Sequence, residues 1–393
     1  MDATPRRRAV PIEVPSPRYV VWELTLRCDL ACRHCGSRAG GARERELSLA
    51  ECRDVVDELV ALGTREVVFI GGEAYLHPHW LGVVEHAAAQ GLRCLMTTGG
   101  RRFTPALAER AAAAGLAQIS VSIDGLEATH DHLRAIPGSF QAALDTLRNA
   151  RAAGIGITAN TQFNRLNLPE LEELADVLLD AGVEAWQTQI TGPMGRAADG
   201  RDWLLQPYDL LDLVPRLAAV ARRAKDRGCR IVAGNNLGYF GPYESDLRAG
   251  GYFQGCVAGR YVLGIESNGD IKGCPSLPSA PYVGGNVRHR PLAQIWAESE
   301  RLSFTRDNRK SELWGHCATC HYAEVCQGGC SWTAHTLLGR RGNMPYCYHR
   351  AEQLKARGLR ERVRQVERSE RRPFDFGRFE LCEEPWEDGH VEV

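Results

Sequence analysis

The sequence predicts an α/β protein: a partial (β/α)6 barrel followed by a small C-terminal domain built on metal-binding cysteines. Three observations lead there. Residues 20–227 alternate short β-like runs with helical runs, giving six βα units. Short polar motifs ("CDLACRHC", "GGE", "TTGG", "SIDG") each follow one of the β-like runs. Cysteine usage is uneven: three lie at 28–35, seven between 256 and 347, and the long middle holds only Cys52, Cys94 and Cys229.

Residues 1–19 lack the apolar core of a signal peptide and read as an N-terminal arm. "VVWELTL" (20–26) is the first strand and runs straight into the first cysteines. Ser48 with Glu51 forms a capping-box signal for a helix ending at Ala61. "EVVFI" (66–70), "RCLMTT" (93–98), "QISVSID" (118–124), "GITANTQ" (156–162) and "EAWQTQI" (184–190) are the next strands. Helices fall at 105–114, 139–153, 169–181 and 208–227. Parallel neighbours need crossover helices, so this alternation predicts a parallel sheet. Six units rather than eight predict an open barrel, with ligands at the carboxyl ends of the strands. Residues 228–255, rich in Gly and aromatics, read as a bridge. Residues 256–348 are dense in Cys, Gly and Trp, as in a small domain held by metal more than by apolar burial. Residues 349–393 read as a charged helix over 351–372 and an acidic end. Cys52, Cys94 and Cys229 read as small core residues, and Cys382 as a tail thiol.

The length of 393 residues and the 44% hydrophobic content suit one large and one smaller domain. A net charge of -1 gives no electrostatic ground for a nucleic-acid or anionic-membrane partner. No apolar run reaches the about 18 residues of a membrane span. With no export signal, the fourteen cysteines are expected in the reducing cytoplasm, where they bind metal more readily than they form disulfides.

"CDLACRHC" places Cys28, Cys32 and Cys35 together, and the next cysteine is Cys52. Three thiolates can hold three irons of a cubane and leave the fourth open, and an open metal position is where a ligand coordinates. Ordinary buried thiols or a partial zinc site are the alternatives. The spacing resembles the CxxxCxxC motif of the radical S-adenosylmethionine (SAM) enzymes, with His34 where an aromatic residue is usual. The resemblance implies a radical SAM barrel, a 4Fe–4S cluster with S-adenosylmethionine on its open iron, and a 5′-deoxyadenosyl radical that abstracts hydrogen from a substrate. Gly71, Gly72 and Glu73 resemble the family segment bordering the methionyl amine, although Ala74 stands where proline is usual. Glycine permits close backbone approach, and a carboxylate accepts from an ammonium. By the same resemblance Ser122 and Asp124 fall at the ribose contacts, Arg134 faces the methionyl carboxylate, and Asn160 contacts ribose or adenine. "TTGG" (97–100) departs from the family turn at Thr98, and no contact is assigned to it.

Downstream, Cys256, Gly269 and Cys274 are followed by Cys317, Cys320, Cys326 and Cys330, with gaps of two, five and three, and then by Cys347. This resembles the seven-cysteine SPASM domain. The resemblance implies two auxiliary 4Fe–4S clusters, three clusters in all. Cys317, Cys320, Cys326 and Cys347 would complete one cluster, and Cys256, Cys274 and Cys330 would hold the other. The fourth position of the latter stays open or is filled otherwise, Cys382 being one option; zinc is the alternative metal. Short CxxC loops make chelation cheap, and interleaved ligands tie distant segments together.

The family resemblance implies a maturase that crosslinks, excises or oxidises residues of a ribosomally made peptide, a Nif11-like precursor being one option given "CGSRAG" at 35–40. It also implies a flavodoxin or ferredoxin as reductant. The winged-helix recognition element common among such maturases has no counterpart before the first strand, so a separate recognition protein is expected to present the precursor. A small-molecule substrate such as a porphyrin side chain is the runner-up. An electron carrier or scaffold without turnover is the alternative from another class. Asp199 and Asp202, after the sixth strand, read as solvated loop acids.

Overall fold

The computed structural model describes residues 15–200, 203–249, 251–306 and 310–387. Most of the N-terminal arm, Asp202 and the last residues of the acidic end lie outside them. β1 (Tyr19–Thr25), β2 (Glu66–Gly71), β3 (Arg93–Thr98), β4 (Leu116–Ser122), β5 (Gly156–Phe163) and β6 (Ala185–Ile190) lie side by side in chain order, all parallel. The crossovers carry α1 (Leu49–Ala61), α2 (Trp80–Ala89), α3 (Pro105–Ala113), α4 (Glu127–Arg134), α5 (Ser139–Ala152), α6 (Leu171–Asp180) and α7 (Leu210–Asp226). α1 begins at the expected box: the Ser48 hydroxyl accepts from Glu51 N, and Glu51 accepts from Ser48 N at 2.8 Å. α6 buries Leu171, Leu174, Ala175, Leu178 and Leu179, the three-and-four spacing of a helix stripe laid on a sheet.

The sheet is larger than six strands. β7 (Arg230–Ala233) adds in parallel beside β6, inside the segment read as a bridge. Its four residues between Gly228 and Gly234 are too few to show a period. On the other edge β8 (Val262–Ile265) pairs in parallel with β1, and β9 (Asp270–Lys272) and β10 (Gly285–Asn286) continue antiparallel. The cysteine-rich domain therefore shares the barrel's sheet. Buried charges fasten this seam: Arg43 Nε donates to Glu23 at 2.6 Å, Ser267 Oγ to Glu23 at 3.0 Å, and Lys272 pairs with Glu266 at 2.7 Å. Charges are kept in an interior only when paired in this way.

The tail corrects the sequence reading outright. A helix over Tyr348–Ala356 ends at Gly358, whose φ is 72°, and the chain then forms an antiparallel hairpin, β11 (Leu359–Glu367) and β12 (Arg378–Pro385). Glu361 and Val363 point inward on a period of two. The charges that read as a solvated helix are cross-strand pairs: Arg360 and Arg362 meet Glu384 at 2.7 and 3.1 Å, and Arg378 meets Glu367 at 2.7 Å. The hairpin is docked by Gln206, which accepts from Val363 N at 2.6 Å, and by the buried Arg350–Glu361 pair at 2.5 Å. Among the described residues no helix is long and apolar enough to cross a membrane.

Candidate active site and metal centres

β1 delivers the chain into the Cys28–Cys35 loop at the carboxyl edge of the sheet. Cys28 N donates to Gly40 O at 3.1 Å, which closes the loop. Arg196, from the segment Gly195–Asp199, clamps it from outside: its Nε donates to Cys32 O at 2.6 Å and its backbone N to Cys35 O at 2.9 Å. Arg134 Nη1 reaches Cys32 Sγ at 3.5 Å, and Leu30 N reaches Cys28 Sγ at 3.4 Å. Burial pushes the Cys28 and Cys32 thiols up, so metal must displace protons on binding.

Gly71 and Gly72 have a different physical role from the one expected. A Cβ on Gly71 would fall on the Thr25 carbonyl, and one on Gly72 on the Arg27 carbonyl and the Cys28 Cβ. Their bareness lets β2 nest against the cysteine loop. Gly72→Ala is therefore expected to push the loop off its seat and lower iron retention at the three-cysteine site. Iron and sulfide content matching wild type after anaerobic reconstitution would contradict this.

Glu73 is fully buried. Its carboxylate accepts from the Thr98 hydroxyl and, at 2.6 Å, from Gly99 N. Burial pushes it up to about 7 despite those donors. The "TTGG" turn, to which the sequence assigned no contact, is thus the clasp of Glu73; the signal was a hydroxyl and a glycine at a strand end. The Glu73 carboxylate, Asp29 and the Cys28 sulfur lie within 4.8 Å of one another. Asp29 is ion-paired with Arg102 at 3.3 Å but takes no hydrogen bond on either oxygen, and buried Arg134 Nε also has no hydrogen-bond partner. Acceptors at Asp29 and Glu73 and a donor at Arg134, with Asp29 and Arg134 each within electrostatic reach of Glu73, suit the ammonium and carboxylate of an amino-acid ligand.

Asp124 is not free for a ribose. One oxygen takes His34 Nε2 at 2.8 Å and the Arg134 guanidinium, and the other accepts from Gln162 N at 2.9 Å. These donors hold its carboxyl well below the usual range despite burial. It positions Arg134 and His34 because β4 ends directly beside the cysteine loop. Ser122 and Asn160 are register partners on neighbouring strands, joined by a 3.3 Å bond from Asn160 Nδ2 to Ser122 Oγ. Ser120 donates to the Asn160 oxygen at 3.2 Å. Asp199 is paired with Arg38 at 2.7 Å rather than simply solvated.

Cys256 and Cys274 bear electrostatically on Cys330, while Cys317, Cys320 and Cys347 bear on Cys326. Cys317, Cys320, Cys326 and Cys347 line one cavity with His316, His349 and Arg350, whose Nε2, Nε2 and Nε atoms lack hydrogen-bond partners. Nitrogens left orphaned around sulfur are placed to donate to the sulfurs of a cluster. Among the described residues no three cysteine sulfurs lie within 4.8 Å of one another. Tetrahedral zinc, at about 2.3 Å from each sulfur, would draw them closer than that. The donor sets therefore fit iron–sulfur clusters better than single zinc ions. Cys382 lies in β12 opposite Arg362. Cys52, Cys94 and Cys229 are buried in the core as expected. Trp332, which the sequence did not single out, packs against the apolar groups beside both Cys28/Cys35 and Cys256/Cys274, and donates to Met194 Sδ at 3.3 Å.

Residues 22–178 match the radical SAM superfamily model, and residues 256–321 match that of the iron–sulfur cluster-binding SPASM domain. The mycofactocin maturase MftC of Mycobacterium tuberculosis is 31% identical over 326 residues, 80% of this chain and 78% of that one. The chain belongs to the radical SAM superfamily. Like the members it resembles, this radical SAM protein is an enzyme, and it uses S-adenosylmethionine and iron–sulfur clusters. The AdoMet-dependent heme synthase of Methanosarcina barkeri is 29% identical over 350 residues, 85% of this chain and 97% of that one. The fold of this chain is similar to that of Streptococcus suis SuiB bound to S-adenosylmethionine, with a TM-score of 0.67 at 15% identity, covering 85% of this chain and 76% of SuiB.

Proposed function

We propose that this radical SAM/SPASM enzyme is a maturase that modifies a ribosomally made peptide by hydrogen-atom abstraction. The observation that carries the reading is the pair of three-cysteine sites, Cys28/Cys32/Cys35 and Cys256/Cys274/Cys330, with Trp332 packed beside both. The likeness to MftC supports a peptide substrate. Cys28, Cys32 and Cys35 would hold a 4Fe–4S cluster, which when bound would supply the electron for reductive cleavage of S-adenosylmethionine to methionine and the 5′-deoxyadenosyl radical. This chain's residues bind and orient: Glu73 and Asp29 take the methionyl ammonium, Arg134 takes the carboxylate, and Ser122 and Asn160 take the ribose and adenine side. Asp124 fixes Arg134, and Gly71 and Gly72 seat the loop. Two auxiliary clusters, on Cys256/Cys274/Cys330 and Cys317/Cys320/Cys326/Cys347, complete three. A flavodoxin or ferredoxin supplies the electron in the cell.

The test is anaerobic: clusters are reconstituted, dithionite and S-adenosylmethionine are added, and 5′-deoxyadenosine is measured. No product from wild type refutes the reading. A porphyrin side chain is the second reading, favoured by the heme synthase match across 97% of that relative. Co-expression with candidate precursor peptides, read by mass shift, against incubation with carboxylated porphyrins separates the two. If a separate protein presents the precursor, the enzyme alone binds it weakly; equal affinity with and without the candidate adaptor removes that partner.

A further inference from the structure

Ten residues, 368–377, join β11 to β12, although Glu367 and Arg378 are direct register partners. A two-residue turn would close such a hairpin. The surplus reaches inward. Phe374 is 8% exposed and shares one apolar cluster with Leu26, Ala39 and Met194, against which Cys28, Cys35 and Trp332 pack. Lys272 Nζ stands 4.3 Å over its ring and the Arg43 guanidinium 5.1 Å. Phe376 meets His335 edge-on at 5.2 Å. Between the rings, Asp375 accepts from Arg38 Nε at 2.7 Å, and its backbone oxygen accepts from Gly195 N at 2.7 Å. Arg38 lies three residues past Cys35, and Lys272 two before Cys274. The sequence Phe-Asp-Phe thus lies between the two three-cysteine sites, while Arg368, Glu370, Arg371 and Arg372 face outward. Arg371 and Phe374 hold left-handed backbone, φ 64° and 57°, a conformation a bulky residue keeps only where its surroundings enforce it.

We propose that this gap is a recognition pocket for an aromatic ring with a carboxylate beside it, and that the 368–377 strap is its resident occupant, displaced when substrate enters. The proposal rests on the reading that the two cysteine sites flank the substrate. The chemistry of the pocket is cationic and apolar together. Lys272 and Arg43 present positive charge to a ring face. Arg38, whose Nη1 and Nη2 are held by Asp199, presents Nε to a carboxylate, and Met194, Leu26 and Trp332 supply the apolar lining. A tethered occupant sits at a high effective concentration, so an untethered ligand enters only by outcompeting it. Until then the strap keeps water from the radical-forming site.

The strap supplies its own probe. Residues 368–377 are replaced by Asn-Gly, a turn that leaves the β11–β12 register unchanged. The reconstituted variant and the wild-type holoenzyme are titrated with a labelled acetyl-RPFDFG-amide peptide, followed by fluorescence anisotropy. The shortened protein is expected to bind the peptide at least about tenfold tighter than wild type, the tethered competitor having been removed. A peptide with both phenylalanines changed to alanine is expected not to bind, and Arg38→Met in the shortened protein is expected to weaken binding. Equal affinity of wild type and shortened protein, or no binding to either, overturns the proposal. If the shortened protein does not fold, Phe374→Ala with Phe376→Ala in the full-length chain weakens the resident strap instead, and failure of that variant to gain peptide binding overturns the proposal equally. Binding needs no turnover. An enzyme that gains the peptide site but never yields 5′-deoxyadenosine loses the maturase reading and keeps this pocket.

Discussion

Cys32→Ala is expected to abolish 5′-deoxyadenosine formation while leaving the iron bound by the C-terminal cysteines in place. Cys32 is buried, receives Arg134 on its sulfur, and has its carbonyl held by Arg196. Removing one of three thiolates leaves a cubane with two protein ligands, which the loop cannot retain. Iron content is expected to fall by about four atoms per chain. The C-terminal cysteines lie in other segments and keep theirs. Product formation at the wild-type rate would mean that the electron enters S-adenosylmethionine elsewhere. Loss of all iron would mean that the three sites load as one unit.

Asp124→Asn has the second largest expected effect, and it acts on stability as well as on the ligand. The change keeps the shape but removes the negative charge beside the buried Arg134 guanidinium and His34. Breaking a buried pair on one side costs roughly 3–5 kcal/mol, because the remaining ion is left uncompensated. The midpoint of anaerobic urea unfolding is expected to fall accordingly. The affinity for S-adenosylmethionine is expected to fall too, since Arg134 loses its anchor. A variant with unchanged unfolding and weaker S-adenosylmethionine binding would mean that Asp124 touches the ligand directly, as the family resemblance first suggested. A variant unchanged in both would remove Asp124 from the site.

The parts of this molecule that were legible in the sequence are those whose physics is local. The alternation of strands and helices, the Ser48 cap and the cysteine gaps each depend on residues a few positions apart. The division of the C-terminal cysteines into two sets came from the resemblance to the SPASM domain, not from their spacing. What stayed hidden depends on partners distant in the chain. Asp124 was read as a ligand contact because nothing local reveals that His34 and Arg134 converge on it. Gly72 was read as facing a ligand, whereas it faces Arg27 and Cys28 across the β1–β2 register. The tail failed differently. Arg360, Arg362 and Arg364 carry the charge density of a solvated helix, and only the two-residue period of Glu361 and Val363, short and partly polar, spoke for a strand. β7 was simply too short to register.

The pairing of β8 with β1 has a consequence for synthesis. β1 leaves the ribosome well before the neighbour that covers its outer side, which begins at Val262. Growing at about 5–20 residues per second, the chain carries β1 as an open sheet margin for roughly ten seconds or more. An uncovered strand of Val, Trp and Leu is a template for pairing with other chains. The cysteine-rich domain therefore serves as the barrel's folding cap as well as a cluster carrier. Cells starved of iron are expected to yield aggregated chains, in addition to soluble protein lacking metal.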